Sequence, residues 1–234
     1  MKSIPVAELV FDATLYPRAS IDRQHVSDLA EAISAGAKLP PIIIDGKSKR
    51  IIDGVHRSKA YARLYGEQYE VEVVEKKFIS EGEMLAEAVK LNAGHGRTLS
   101  RFDRVHCLLM ADKVGLTIEA IAGAMSMTLE SAVELTRDRV GTLTTSHSAT
   151  QIPLKRTVRH MAGGKITSGQ AEANRKLGGM SQTFYVNQVL LLLRNDMVDW
   201  SDETMINRLV ELRDMLVAST KLAAERKTKS GAAA

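Results

Sequence analysis

The chain has 234 residues, 44% of them hydrophobic and 26% charged, with a formal net charge of +4. That length suffices for one or two packed domains, and the apolar runs are too short or too interrupted to span a bilayer, so no membrane partner is expected. The mild basic excess permits a nucleic-acid partner without demanding one, and a single cysteine, Cys107, excludes an intramolecular disulfide and suits the cytoplasm.

In chain order, Met1-Lys2-Ser3 leads straight into a strand-like segment, with no signal peptide expected. Tyr16-Pro17-Arg18 precedes a helical stretch from Asp22 to Ser34, and Leu39 to Ile44 reads as a second strand. Ile51 and Ile52 end a β-branched strand, Asp53-Gly54 is a turn dipeptide, and Ser58 to Leu64 reads as an amphipathic helix. A helix starting just after a glycine offers backbone N–H groups at the positive end of its dipole, with His56, Arg57 and Lys59 as added donors. That set suits an anion such as a nucleotide phosphate; an ordinary strand-to-helix junction with solvated basic residues has the same sequence pattern. A strand from Tyr69 to Val74 and a helix from Ser80 to Leu91 follow, then Asn92-Ala93-Gly94-His95-Gly96-Arg97.

From Leu99 onward the pattern is almost wholly helical, which predicts an α+β domain over 1–97 followed by an all-α one over 98–178. Ile118, Ile121 and Ala122, a turn at Met125-Ser126-Met127, and Ala132, Val133 and Leu135 have the apolar spacing of two helices crossing at a short turn. Thr142 to Pro153, rich in small hydroxyl residues and closed by proline, reads as a loop or linker. After the break at Gly178-Gly179, two C-terminal helices are expected in 179–225, from Phe184 to Asn195 and from Asp202 to Glu225. Trp200 would anchor the packing at their joint, and 226–234 would be a disordered tail. Val189 to Leu193, and Met205, Ile206, Leu209, Leu212, Met215 and Leu216 at spacings of three or four, suit a homodimer interface; burial within one chain accounts for them as well.

The order of these elements resembles the amino-terminal domain of the ParB/sulfiredoxin-like superfamily, with Tyr16-Pro17-Arg18 at its first motif. Gly54-Val55-His56-Arg57-Ser58-Lys59-Ala60 stands where ParB proteins carry Gly-Glu-Arg-Arg-x-Arg-Ala, and Asn92 stands in a motif usually written Glu-Asn-x-Gln-Arg. The likeness runs on through Gly115 to Ala122, which resembles the start of the ParB helix-turn-helix, and through Gly163 to Ala171, which resembles the Gly-Lys-Ile-x-x-Gly-His-Ala segment after it. The resemblance implies a DNA-binding protein gated by CTP with Mg2+, serving partition or transcriptional control, and a homodimer.

Carried over residue by residue, the resemblance implies nucleotide contacts from Arg18, Gly54, His56, Arg57, Lys59 and Asn92. Asn92 would hold a phosphate oxygen or a magnesium-bound water, or else simply end its helix. Three departures bear on turnover: Val55 replaces the motif glutamate, Leu91 replaces the acid before Asn92, and Gly94-His95-Gly96 replaces Gln-Arg with one extra residue. Hydrolysis is therefore expected to be weak or absent, with Glu87 as the one nearby substitute. Sulfiredoxin-type activity is not expected, because Val55 stands where that branch has its cysteine. A small-molecule kinase of the free-serine type, or a non-DNA adaptor on the same fold, remains the alternative.

On the second helix of the pair, Thr128, Ser131, Arg137 and Arg139 are the candidate DNA contacts, although Glu130 and Glu134 make that helix acidic where phosphates favour Arg or Lys. Lys155, Arg156, Arg159 and Lys165 are candidates for sequence-independent backbone contacts.

Overall fold

The computed structural model describes residues 2–94, 98–146 and 148–231, with side chains through residue 220. It divides into two compact units, Met1–Met180 and Ser181–Ala234.

The first unit begins with β1 (Lys2–Pro5), followed by α1 (Arg23–Ser34), β2 (Ile42–Asp45), β3 (Ile51–Asp53), α2 (Val55–Tyr65), β4 (Glu70–Lys76) and α3 (Glu81–Gly94). The strands form a sheet in the order β1-β4-β2-β3, in which β2 and β4 run parallel and the other neighbours antiparallel. Alternation along the strands buries Ile42, Ile44, Val71 and Val73 in one core with Ile4, Val6, Tyr16, Ile51 and Val55. The Asp22 carboxylate caps α1 by accepting from the backbone N–H groups of Gln24 and His25. Val26, Ala30 and Ile33 on the inner face of α1 pack against Ala60 of α2.

Two boundaries differ from the sequence reading for backbone reasons. The second strand starts at Ile42 instead of Leu39, because Pro40 and Pro41 have no N–H to give a ladder. The helix expected from Ser58 starts at Val55, because Gly54 itself makes the turn at φ 109°.

Beyond α3 lie α4 (Arg101–Lys113), α5 (Ile118–Ala124) and α6 (Leu129–Arg139). A capping box, with Ser100 and Asp103 exchanging side-chain and backbone bonds, fixes the start of α4. These helices bury Val105, Cys107, Leu108, Met110, Ala111, Ile121, Ala122 and Ala132. Most share one core with Ile52 of β3 and with Met84, Leu85, Ala88 and Val89 of α3, so side chains on both sides of residue 97 pack together. Cys107 is fully buried there, and its Sγ donates to the Pro17 carbonyl at 3.1 Å; burial pushes its thiol up to about 12.

The expectation that 98–178 is all-α is corrected by a second sheet. β5 (Val140–Thr144) pairs antiparallel with β6 (Ala149–Pro153) and parallel with β7 (Lys165–Ile166), in the order β6-β5-β7. The stretch read as a linker is thus a hairpin: its threonines, together with Val140 and Ile152, are β-branched and suit a pleated surface. Gly141 lets β7 close in, since a Cβ there would lie 2.2 Å from Ile166 Cδ1. His147, within the same stretch, lies outside the described residues. A 3-10 turn (Arg156–Met161) and α7 (Ser168–Lys176) complete the unit.

The second unit holds α8 (Gln182–Arg194) and α9 (Glu203–Gly231). No residue of α8 is buried, and Leu190, Leu191, Leu192 and Leu193 are exposed, as are Leu212, Met215 and Leu216 of α9. Trp200 does not anchor packing: it is 54% exposed, with its indole N–H directed to Asp196 Oδ1 at 3.4 Å. α9 continues past Arg226, where the sequence placed the start of a disordered tail, because the Leu-Ala-Ala-Glu-Arg-Lys run around it is made of helix formers. Residues 232–234 lie outside the described residues. Among the described residues no helix is long and apolar enough to cross a membrane.

Candidate functional site

The β3-to-α2 junction is built around Gly54. Its left-handed backbone excludes an ordinary side chain, and a Cβ there would sit 3.2 Å from Ile42 Cγ1 and 3.1 Å from Arg57 Nη2. No side chain caps α2, so the positive end of its dipole is left to whatever occupies the space in front of it.

Arg57 does not point into that space unengaged. Its Nη1 donates to the carbonyls of Pro40 at 2.6 Å and Pro41 at 2.9 Å, and its Nη2 donates to Asp53 Oδ2 at 2.6 Å. It staples the Pro40-Pro41 segment to the end of β3, with its side chain only 14% exposed. His56 Nε2 accepts the Asp22 backbone N–H at 3.2 Å and lies 3.4 Å from the Tyr16 hydroxyl. The first of these bonds requires an unprotonated Nε2. Burial pushes the Tyr16 phenol up to about 12, with nearby Arg18 opposing the shift.

A cavity of about 560 Å³ opens at this junction, lined by Arg18, His25, Asp53, Gly54, His56, Arg57, Leu91 and Asn92. A second cavity of about 650 Å³ lies beside it, lined by Arg18, Asp22, His56, Asp103, His106, Lys155, Asn174 and Arg175 with apolar Phe102, Leu143 and Ile152. Arg18 and His56 belong to both walls. Burial lowers the affinity of the His106 imidazole for a proton, so its neutral form is favoured.

Of the predicted nucleotide contacts, Arg18, Gly54, His56, Arg57 and Asn92 therefore converge on one space. Lys59 does not line it: its ammonium lies over the Phe11 ring, 5.6 Å from the centroid. Asn92 lies inside α3 and is no C-cap; its Nδ2 donates to the Ala88 carbonyl at 2.9 Å and approaches Asp53 Oδ1 at 3.5 Å. Leu91 reaches the cavity, whereas Glu87 forms an ion pair with Lys76. His95, Gly96 and Arg97 lie outside the described residues. Among the described residues no three His, Cys, Asp or Glu side chains gather as a metal cluster, and the one carboxylate beside Asn92 is engaged by Arg57. A magnesium ion at this place would depend on phosphate oxygens for most of its ligands.

The predicted DNA contacts fall into two sorts. Thr128 is the N-cap of α6, accepting the Ser131 N–H at 3.2 Å, while Arg137 is exposed and 3.6 Å from Asp138. Arg156, Arg159 and Lys165 are exposed. Lys155 is occupied: its ammonium donates to the carbonyls of Arg175 and Leu177 at the end of α7, and burial lowers its affinity for a proton below that of an ordinary lysine. Arg139 is 7% exposed. Two further residues were not singled out from the sequence. Arg101 opens α4, and Asn174 ties Lys155 N–H and the Pro153 carbonyl together at 2.9 Å each. The Ser100-to-Asp103 capping pattern marks the helix start that presents Arg101; nothing local marks Asn174.

A strand, a glycine at positive φ and an uncapped helix facing a cavity form a junction with the geometry to receive an anion. Residues 1–92 match the family of the ParB N-terminal domain, which supports the ParB/sulfiredoxin-like resemblance over that segment. A possible regulatory protein of the streptomycin biosynthesis operon from Streptomyces griseus is 37% identical over 86 residues, covering 37% of this chain and 23% of that protein. The chain thus spans well under half the length of this curated relative. Among solved structures, C-terminally truncated ParB from Caulobacter crescentus complexed to the centromeric parS site aligns with TM-score 0.41 and 17% identity, over 58% of this chain and 71% of that one. The same protein complexed with CTP-gamma-S aligns with TM-score 0.36 and 18% identity, over 58% and 76%. A Pnob8-like ParB-N domain gives 0.37 and 19%, over 65% and 56%.

Proposed function

We propose that this chain is a DNA-binding protein of the ParB type, acting in partition or transcriptional control, whose 1–92 segment binds a nucleotide. The observation that carries the reading is the convergence of Arg18, Gly54, His56 and Asn92 on one cavity in front of the uncapped α2. Val55 and Leu91 line that cavity where the family has acidic groups, and neither can polarise water, so hydrolysis is slow or absent. The resemblance makes CTP the nucleotide and Mg2+ its companion. In this reading α5 and α6 form a helix-turn-helix, the exposed Arg156, Arg159 and Lys165 neutralise phosphates, and the exposed apolar faces of α8 and α9 are covered in a homodimer in the cytoplasm.

Titration calorimetry with each of the four nucleoside triphosphates and Mg2+, with and without duplex DNA, tests the reading. CTP should bind, and Arg18→Ala or Asn92→Ala should weaken it by about 1.5–3 kcal/mol, roughly tenfold or more, the worth of a charge-assisted contact. Phosphate release in the same mixtures should stay at the buffer level. No heat with any triphosphate would end the nucleotide reading, and no retention of random-sequence DNA at low salt would end the DNA reading.

A further inference from the structure

The cavity of about 650 Å³ beside the nucleotide cavity has no part in the reading above. It opens where α4 lies against β6, and α7 supplies Ala171, Asn174 and Arg175 to its wall. Its volume falls within the range of roughly 300–1,000 Å³ typical of small-molecule sites, which pair apolar walls with a few convergent polar groups. The apolar wall follows from strand register. Ile152 of β6 stands opposite Gly141 of β5, and Leu143 lies two residues on from Gly141, so both side chains project from one face of the hairpin. Phe102, in the first turn of α4, lines the same space.

The charge on the wall is uneven. Arg18, Lys155 and Arg175 supply cations against the carboxylates of Asp22 and Asp103. Those carboxylates already hold backbone and hydroxyl donors. Asp22 Oδ1 accepts the Gln24 and His25 N–H groups, Asp103 Oδ1 accepts the Ala19 N–H at 3.0 Å, and Asp103 Oδ2 accepts the Ser100 hydroxyl at 2.7 Å. Lys155 differs from them. Its ammonium donates to the carbonyls of Arg175 and Leu177 and lies 5.7 Å from the centroid of the Phe102 ring. Burial lowers its affinity for a proton, and no carboxylate offsets that loss. An ammonium carries three N–H groups, so with two given to carbonyls one is left. A single donor suits one carboxylate oxygen, whereas a phosphate would call for several.

We propose that this cavity binds a small organic acid with a flat apolar body, the body lying against Phe102, Leu143 and Ile152 and the carboxylate on Lys155. Arg18 and His56 line this cavity and the nucleotide cavity alike, so an occupant of one alters a wall of the other. The acid is therefore a regulator of nucleotide binding. That regulatory clause alone rests on the nucleotide reading; the site rests on the cavity and on Lys155.

The probe is naphthoate at neutral pH, with uncharged naphthalenemethanol as its match in shape, and methyl NMR spectra of the full chain are followed as each is added. Naphthoate should shift the Leu143 and Ile152 methyl signals, and the alcohol should bind about tenfold more weakly, the loss of one charge-assisted contact. Lys155→Met should abolish the preference for the acid, and Leu143→Gln, at a part-exposed position, should weaken both probes. A thermal melt shows whether each variant is folded; if Lys155→Met is not, the ratio of acid to alcohol in the wild type and the loss in Leu143→Gln still decide. Shifts confined to the exposed leucines of α8, equal binding of the two probes, or no shift at millimolar probe would overturn the site. In calorimetry, saturating naphthoate should change CTP affinity about fivefold or more, the lower end of ordinary coupling between sites. If naphthoate binds and CTP affinity does not move, the site stands and the regulation falls. If no triphosphate binds at all, the nucleotide reading falls and the methyl shifts still decide the site.

Discussion

Arg57 and Arg139 are both arginines largely withdrawn from water, one at each of two regions of the first unit, and their surroundings are opposite. Around Arg57 three oxygens of the protein accept its N–H groups within 2.9 Å; the charges that act on Arg139 are Arg101, Arg159 and Arg156, with Asp138 opposing them, and its nitrogens are not sealed from solvent. A cation partnered by the protein holds the fold, whereas one that is not partnered must keep its nitrogens open to water. The Pro40-Pro41 wall of the cavity in front of α2 is therefore held in place by Arg57.

The sharpest way to break this contrast is to remove each charge. Arg57→Met should cost about 2–4 kcal/mol, because it leaves Asp53 and two proline carbonyls without their donor; urea denaturation would show a midpoint shift of that size. A cost within about 0.5 kcal/mol would mean that the staple is ornamental and return Arg57 to direct ligand binding. Arg139→Met should do the reverse, leaving stability unchanged or raising it by up to about 1 kcal/mol as like-charge repulsion is removed. A clear loss in the same denaturation series would reveal a structural partner and end the contrast. Smallest of all, Lys59→Ala should cost no more than about 0.5–1 kcal/mol, the worth of an exposed cation–π contact with Phe11. Nucleotide affinity should not move, and a tenfold drop in calorimetry would put Lys59 back in the site.

The sequence is most legible where the signal is local. Gly54 before a helix, Asp22 and Ser100 as caps, and the apolar spacing across Ile118 to Leu135 all report on backbone within a few residues, and each element stands close to where that signal puts it. What cannot be read locally is partnership. Arg57, Lys59 and Lys155 look alike in a string of letters, yet one staples two prolines, one lies over a phenyl ring and one caps a helix. The second sheet is hidden for the same reason: β5 finds its parallel partner β7 more than twenty residues on, and a threonine-rich stretch shows no period until that pairing exists.

The core shared across residue 97 has a bearing on truncation. The match to the family of the ParB N-terminal domain runs to residue 92, inside α3, whose buried Met84, Leu85, Ala88 and Val89 pack in the same cluster as side chains of α4 and α5. Burying a large side chain of this kind is worth about 1.5–3 kcal/mol, so a chain cut at the edge of the likeness would lose a sum comparable with the whole stability of a domain. The segment that matches the family and the segment that packs as one core have different ends in this protein. Residues 1–92 taken alone would leave the apolar side of α3 that meets α4 and α5 facing water.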